Sequence, residues 1–131
     1  MIFVDSNVPM YLVGSSHTNR ERAEQALNHL REEGEQFITG IEVYQEILHR
    51  YVSIRRFEAI DPAFRTLQGI ANRALGYGMS EIGVARDIVL SVPGISARDA
   101  LHAAVMQSAG ITQILSYDRG FDAIPGIERL E

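Results

Sequence analysis

The sequence predicts an α/β fold in which a parallel sheet is covered by helices. Met1 to Val4 form an unbroken apolar run, which is typical of a strand buried on both faces. Segments with helical spacing then alternate with short apolar segments, as expected of β-α-β units. The 131 residues suit one compact domain, and their 46% apolar and 22% charged fractions are those of a globular protein. We therefore predict a single domain spanning residues 1–131.

Local signals place the ends of the predicted elements. Pro9 and Pro62 suit the first turns of helices, Gly34 and Gly110 are placed to end helices, and Pro93 interrupts the chain between two more. Apolar residues that recur every three or four positions mark the helices between these signals. In chain order we predict a strand over 1–4, a short helix around 9–12, a helix over 16–33, a strand over 36–39, helices over 40–52, 61–75, 80–90 and 96–109, and a strand over 112–116.

Absent residue types exclude several kinds of chemistry. The chain has no Cys, which excludes disulfides, thiol nucleophiles and zinc–thiolate sites. All 12 basic residues are Arg, which excludes lysine-dependent phosphate loops and Schiff-base mechanisms. The net charge of −5 argues against a broad basic surface for nucleic acid, but not against a few local Arg contacts. With no Cys, no basic leader and no long apolar run, we expect a cytoplasmic protein.

Three carboxylates occupy positions where a site is expected to form. Asp5 and Asp118 follow predicted strands, and the carboxyl ends of parallel strands share one edge of the sheet. Asp99 lies in the first turn of the helix that opens with SARDALHAAV, where Ser96 can cap the helix and the acid can face its positive end. Helix capping thus competes with a ligand role for Asp99, as turn formation does for Asp118.

A further acid lies on the predicted helix over 40–52. Glu42, Glu46 and Arg50 follow one another at i, i+4 spacing, which usually indicates an exposed row of ion pairs. Carboxylates that converge on one crevice repel each other unless a cation neutralises them, and oxygen ligands suit Mg²⁺ or Mn²⁺. A site of this kind is a common solution for hydrolysis of phosphodiester bonds.

The chain resembles the PIN-domain family through four segments, in their order and spacing: FVDSN, EILHR, SARDALHAAVM and ILSYDRGFDAIPGIERL. The similarity covers essentially the whole chain, whose length is that of a VapC-type toxin ribonuclease. It implies a three-layer α/β/α sandwich around a central, mainly parallel sheet, with acidic residues that bind Mg²⁺ or Mn²⁺ and cleave RNA. By position, the resemblance implies that Asp5, Glu46, Asp99 and Asp118 are the catalytic and metal-binding acids, with Glu42 as a rival to Glu46.

The resemblance also implies supporting residues and partners. Asn7 and Ser116 match polar residues that support the acids, and Asp122 is a candidate outer member of the site. The implied partners are an RNA substrate, a second copy of the chain in a homodimer, and a small cognate antitoxin that blocks the acidic crevice.

Several assignments stay open at this point. Arg50, Arg55 and Arg56 are candidates for contacts with RNA phosphates, with exposed helix-end charges as the alternative. His102 follows Asp99 by one turn, and we interpret it as a packed or hydrogen-bonded residue. A non-catalytic PIN module that binds RNA or a protein partner is the alternative function. A phospho-aspartyl domain is disfavoured by the absence of lysine.

Overall fold

The computed structural model describes all 131 residues and contains a five-stranded, all-parallel sheet with six α-helices. The strand order is β3-β2-β1-β4-β5, so β1 lies at the centre. The predicted α/β class with a parallel sheet is therefore confirmed. The strands are β1 (Ile2–Val4), β2 (Phe37–Gly40), β3 (Ala74–Leu75), β4 (Gln113–Leu115) and β5 (Glu128–Leu130), and the helices are α1 (Asn7–Val13), α2 (His17–Glu32), α3 (Ile41–Ser53), α4 (Ile60–Ile70), α5 (Met79–Ser91) and α6 (Ala97–Ser108).

The central strand explains the apolar run at the start of the chain. Ile2, Phe3 and Val4 are fully buried, because β1 has a neighbouring strand on each side and helices above and below. Phe3 pairs with Ile38 of β2 on one side and Ile114 of β4 on the other. The residues that follow β1 are consequently enclosed by the ends of both neighbours.

The predicted helix over 61–75 was wrong at its carboxyl end. α4 ends at Ile70, and Ala74–Leu75 form β3, which pairs with β2 through Thr39 and Gly40. A second edge strand, β5, pairs with β4 and was also not predicted. Both edge strands are short and partly exposed, so they lack the apolar run that marks the buried strands.

The most buried helix is α6, which packs against α5 and the sheet. Eight consecutive residues, from Asp99 to Met106, are buried, including the polar residues Asp99 and His102. Ser96 caps the helix as predicted, since its Oγ accepts a hydrogen bond from the Asp99 N–H at 3.0 Å. Because the serine supplies the cap, the Asp99 carboxylate is left for other contacts.

None of the six helices has the length and apolar character needed to cross a membrane.

Candidate active site

The predicted site residues meet at the carboxyl edge of the sheet. Asp5 directly follows β1, and Ser116 and Asp118 follow β4, which is the hydrogen-bonded neighbour of β1. The Asp5 N–H donates to the Leu115 carbonyl at 3.1 Å, so the pairing of the two strands extends to the first acid. Parallel pairing thus brings residues more than a hundred positions apart in the chain to one point.

The Asp5 carboxylate is only 3% exposed and is bound by several donors. Its Oδ2 accepts a hydrogen bond from Ser116 Oγ at 2.6 Å, and its Oδ1 accepts one from the Ser6 N–H at 2.8 Å. Burial nevertheless raises the pKa of Asp5, although His102 and these two donors favour its ionised form. A buried acid with a raised pKa is a common feature of functional sites.

Asn7 and Ser116 connect the two strand ends. Ser116 Oγ accepts a hydrogen bond from the Asp118 N–H at 3.0 Å while it donates to Asp5. Asn7 Nδ2 lies 3.4 Å from both Asp5 Oδ2 and Ser116 Oγ, and Asn7 Oδ1 accepts from the Tyr117 N–H at 3.3 Å. These contacts fix the orientation of the Asp5 carboxylate, which is the geometry expected of the supporting residues.

Glu46 of α3 lies beside Asp5, with His102 of α6 close to both. His102 Nε2 is 3.3 Å from Glu46 Oε1 and 3.9 Å from Asp5 Oδ1. Donor atoms of these three residues all lie within 4.8 Å of one another, a separation at which they could hold a metal ion. Burial disfavours ionisation of Glu46, but hydrogen bonds from His102 and Ser6 outweigh it and lower the pKa of Glu46.

The structure distinguishes Glu46 from its rival Glu42, one turn earlier on α3. Glu42 accepts a hydrogen bond from the Tyr77 hydroxyl at 2.9 Å, and its nearest cation is Arg98 at 3.7 Å. Glu46 also lies 3.7 Å from Arg98, and neither acid forms an ion pair with Arg50. The exposed row of ion pairs that the spacing suggested is therefore absent, and only Glu46 reaches Asp5.

Asp99 and Asp118 form a second pair of acids. A β-carbon placed on Gly120 would lie 3.1 Å from Asp118 Oδ1 and 3.3 Å from Asp99 Oδ2, so both carboxylates border this glycine. Burial, together with the adjacent Asp118, raises the pKa of Asp99 to about 8. The interaction between the two acids lowers the pKa of Asp118. Asp118 Oδ1 also accepts a hydrogen bond from the Gly120 N–H at 2.9 Å.

Asp122 lies outside this arrangement of acids. It forms a two-point ion pair with Arg129, at 2.9 and 3.2 Å, and the Arg129 Nη1 donates to the Ser116 carbonyl at 3.1 Å. Any influence of Asp122 on the acids therefore passes through Arg129 and the backbone of Ser116.

The donors of this site suit a hard divalent cation. Asp5, Glu46, Asp99 and Asp118 offer only oxygen atoms. Burial raises the pKa values of Asp5 and Asp99, and repulsion by neighbouring acids adds to the effect. A bound divalent ion would relieve this repulsion, so the residues present fit such an ion. Sequence reasoning did not select His102 for this cluster, because a histidine on a mostly apolar helix is usually part of the core.

Comparison with known proteins agrees with this geometry. A family model described as PIN domain matches residues 2–127. Ribonuclease VapC13 of Mycobacterium tuberculosis is 50% identical over 130 residues, 99% of each chain. In fold, the chain is similar to VapBC2 from Rickettsia felis bound to a DNA fragment from its promoter, with a TM-score of 0.74, 12% identity and coverage of 99% and 98% of the two chains. It is also similar to a toxin-antitoxin complex from Klebsiella pneumoniae, with a TM-score of 0.66, 16% identity and coverage of 98% and 96%.

We expect Asp99→Asn to stabilise the metal-free protein at pH 8. The pKa of Asp99 is about 8 when folded and near 3.8 when unfolded, so the folded state holds the extra proton between these values and stability falls as pH rises through this window. The amide of the Asp99→Asn protein does not titrate, so this position causes no fall in folding stability in this pH window. In EDTA at pH 8, the free energy of unfolding measured with urea should increase by an amount on the order of 1 kcal/mol or more. The difference in this free energy between pH 5 and pH 8 should be smaller than in the unsubstituted protein.

Ser96→Ala is the matched control for this measurement. It removes the cap of α6 and should cost about 1 kcal/mol at both pH values without changing the pH dependence. A pH dependence of Asp99→Asn equal to that of the unsubstituted protein would contradict the assignment of the raised pKa to this carboxylate.

Proposed function

The chain belongs to the PIN-domain family, and we infer from this membership and from its cluster of acids that it is a VapC-type ribonuclease, an enzyme that hydrolyses phosphodiester bonds of RNA. The observation that carries this inference is the placement of four carboxylates at one edge of the sheet, with Asp5 and Asp99 buried. A non-catalytic module would not need all four acids to be retained. The expected biological role is that of the toxin in a type II toxin–antitoxin pair.

We propose that Asp5, Asp99 and Asp118 hold one or two divalent ions, Mg²⁺ or Mn²⁺, and that Glu46 is a further ligand or orients the attacking water. A divalent ion bound there would polarise the scissile phosphate and lower the pKa of the water. The chain itself contributes rigidity. Ser116 fixes the Asp5 carboxylate at 2.6 Å and the Asp118 backbone at 3.0 Å, so the two strand-end acids keep a constant separation.

We propose that the RNA strand leaves the acids along the cleft between α1 and α3. A cavity of about 270 Å³ extends from Asn7 and is lined by Tyr11, Arg50 and Arg56, among others. Arg50 follows Glu46 by four residues on α3, so it lies one turn from the acids on the same side of the helix. Its guanidinium group suits a phosphate, and the Tyr11 ring offers an aromatic face for a base.

Two protein partners are proposed as well. A cognate antitoxin would occupy the acidic crevice with a basic side chain, which the local excess of carboxylates favours. A second copy of the chain would cover the apolar side of α5, where Met79 and Leu90 are each 80% exposed. Val89 and Leu90 line a groove of about 450 Å³ between α5 and α6, and apolar surface of this kind is typical of protein–protein contacts.

The nuclease mechanism predicts that Asp5→Asn abolishes cleavage. The amide keeps the size of the side chain but removes the buried charge, so we expect a loss on the order of 100-fold or more. Total cellular RNA with Mg²⁺ or Mn²⁺ serves as substrate, and sequencing of the new 5′ ends detects a selective target. Asp61→Asn, at an exposed ion pair on α4, is the control that should keep full activity.

Two outcomes would contradict the mechanism. Cleavage that persists in EDTA would show that the mechanism needs no divalent ion. Activity in a folded Asp5→Asn protein would show that the mechanism does not need the Asp5 carboxylate. If the unsubstituted protein cleaves no RNA but still binds it, the non-catalytic module is the correct function.

The proposed RNA path predicts a binding defect for Arg50→Gln. KM should rise several-fold with kcat retained, and the slope of log affinity against log salt should fall by about 0.7, the value for one phosphate contact on a single strand. Arg65→Gln, which removes an exposed arginine on α4, should leave KM and the slope unchanged. Equal effects of the two substitutions would place the RNA elsewhere.

The proposed homodimer predicts that Leu90→Glu yields a monomer. Burying a carboxylate in place of an apolar side chain in this groove costs free energy and opposes association, and light scattering during gel filtration reports the mass. Val52→Glu, at a half-exposed residue of α3 that does not line this groove, is the control and should leave the dimer intact. A dimer that survives Leu90→Glu would rule out this face.

A further inference from the structure

His102 is a fully buried polar residue that points its Nε2 at two carboxylates. The nitrogen lies 3.3 Å from Glu46 Oε1 and 3.9 Å from Asp5 Oδ1, while the ring packs against Phe3 with a centroid distance of 5.8 Å. The other nitrogen, Nδ1, is buried without a hydrogen-bond partner. The polar partners of this buried ring are therefore carboxylates alone, which is unusual for a residue that serves packing only.

The surroundings determine which nitrogen carries the proton. The nearer neighbour of Nε2 is an oxygen of the Glu46 carboxylate, which in its ionised form only accepts hydrogen bonds, so Nε2 donates to it. The neutral ring protonated at Nε2 and the doubly protonated ring both provide this donor. The contact with Glu46 therefore does not depend on the charge of the ring.

A competing cation lies on the other side of the same carboxylate. Arg98 Nη1 is 3.7 Å from Glu46 Oε2, and Arg98 Nε is 3.7 Å from Glu42 Oε1, at the outer end of the crevice. Glu46 is thus held between a buried donor beside Asp5 and a half-exposed guanidinium group near Glu42. Without the imidazole, only the Ser6 hydroxyl would hold Glu46 beside Asp5 against the pull of the Arg98 guanidinium group.

We propose that His102 is a positioning residue, whose Nε2–H fixes Glu46 Oε1 beside Asp5 so that both carboxylates can serve one divalent ion. The inference rests on the proposed function, because it assigns Glu46 a role at the ion. His102 itself would not contact the ion, since its donor nitrogen carries a proton directed at the carboxylate.

Metal affinity tests the proposal without relying on cleavage. Binding of Mn²⁺ is measured by electron paramagnetic resonance of the free ion. His102→Leu removes the donor and should weaken binding about 10-fold or more, whereas His102→Gln places an amide N–H near the position of Nε2 and should remain within about threefold of the unsubstituted protein. Met106→Leu, fully buried one turn later on α6, controls for loss of packing and should leave affinity unchanged.

A double-substitution cycle separates positioning from general damage. If His102 acts through Glu46, His102→Leu should have no further effect on Mn²⁺ affinity in a Glu46→Gln background. Additive losses would overturn the proposal, as would direct coupling of an imidazole nitrogen to bound Mn²⁺ in pulsed resonance spectra. Unchanged affinity in His102→Leu, with Mn²⁺ bound normally by the unsubstituted protein, would overturn the proposal and leave the nuclease function standing.

Nitrogen-15 NMR of the metal-free protein provides an independent measurement. We expect the His102 signals to show a protonated Nε2, and its hydrogen-bonded proton should shift in Glu46→Gln. A neutral ring protonated at Nδ1 would refute the proposal whatever the metal affinity. Absence of Mn²⁺ binding to the unsubstituted protein would overturn both the proposal and the metal-dependent function, so the two failures can be distinguished.

Discussion

Burial of the Asp5 carboxylate is the constraint on which the rest of the site depends. The acid follows the central strand and is only 3% exposed, with Glu46 of α3 and His102 of α6 beside it, so little water can solvate its charge. Donors from the protein must replace that water. They come from separate parts of the chain, Ser6 before α1 and Ser116 after β4, and the His102 imidazole of α6 adds an electrostatic contact at 3.9 Å. One buried charge therefore links β1 and β4 to the most buried helix.

The four acids fall into two groups with different electrostatic surroundings. Asp5 and Glu46 have cationic or polar partners from the chain, namely His102 and Arg98. No Arg or His forms an ion pair with Asp99 or Asp118, and burial, together with the adjacent Asp118, raises the pKa of Asp99 to about 8. A bound cation would therefore stabilise the ionised forms of Asp99 and Asp118 more than those of Asp5 and Glu46. A divalent ion between the groups would provide that stabilisation, while Asp5 and Glu46 are already oriented to receive it.

Local patterns predicted most of the elements. The buried central strand leaves an unbroken apolar run in the sequence, and the amphipathic helices leave apolar residues at every third or fourth position. The short edge strands β3 and β5 leave neither pattern, which is why the helix that ends at Ile70 was extended to 75. The cap of α6 was predictable from Ser96, since capping is a local interaction. The choice between Glu42 and Glu46 was not predictable from helix geometry, because both lie on one face and only the packing of α3 against α6 decides which reaches Asp5. The sequence indicated a packed or hydrogen-bonded role for His102 but not its acidic partners, because these lie 56 and 97 positions away in the chain.

The overall charge of the protein also bears on how it would act on a polyanion. With a net charge of −5, the average field of the chain repels RNA, and the carboxylates of Glu42, Glu46 and Asp118 add to that repulsion near the proposed site. On the RNA path proposed above, binding would depend on local cations: a divalent ion among the acids and arginines such as Arg50, which lines the neighbouring cleft. Selectivity follows from this arrangement, because an RNA that cannot reach the ion and the arginines together meets only repulsion. An acidic surface with a few cationic contacts thus favours a narrow set of RNA shapes over general degradation.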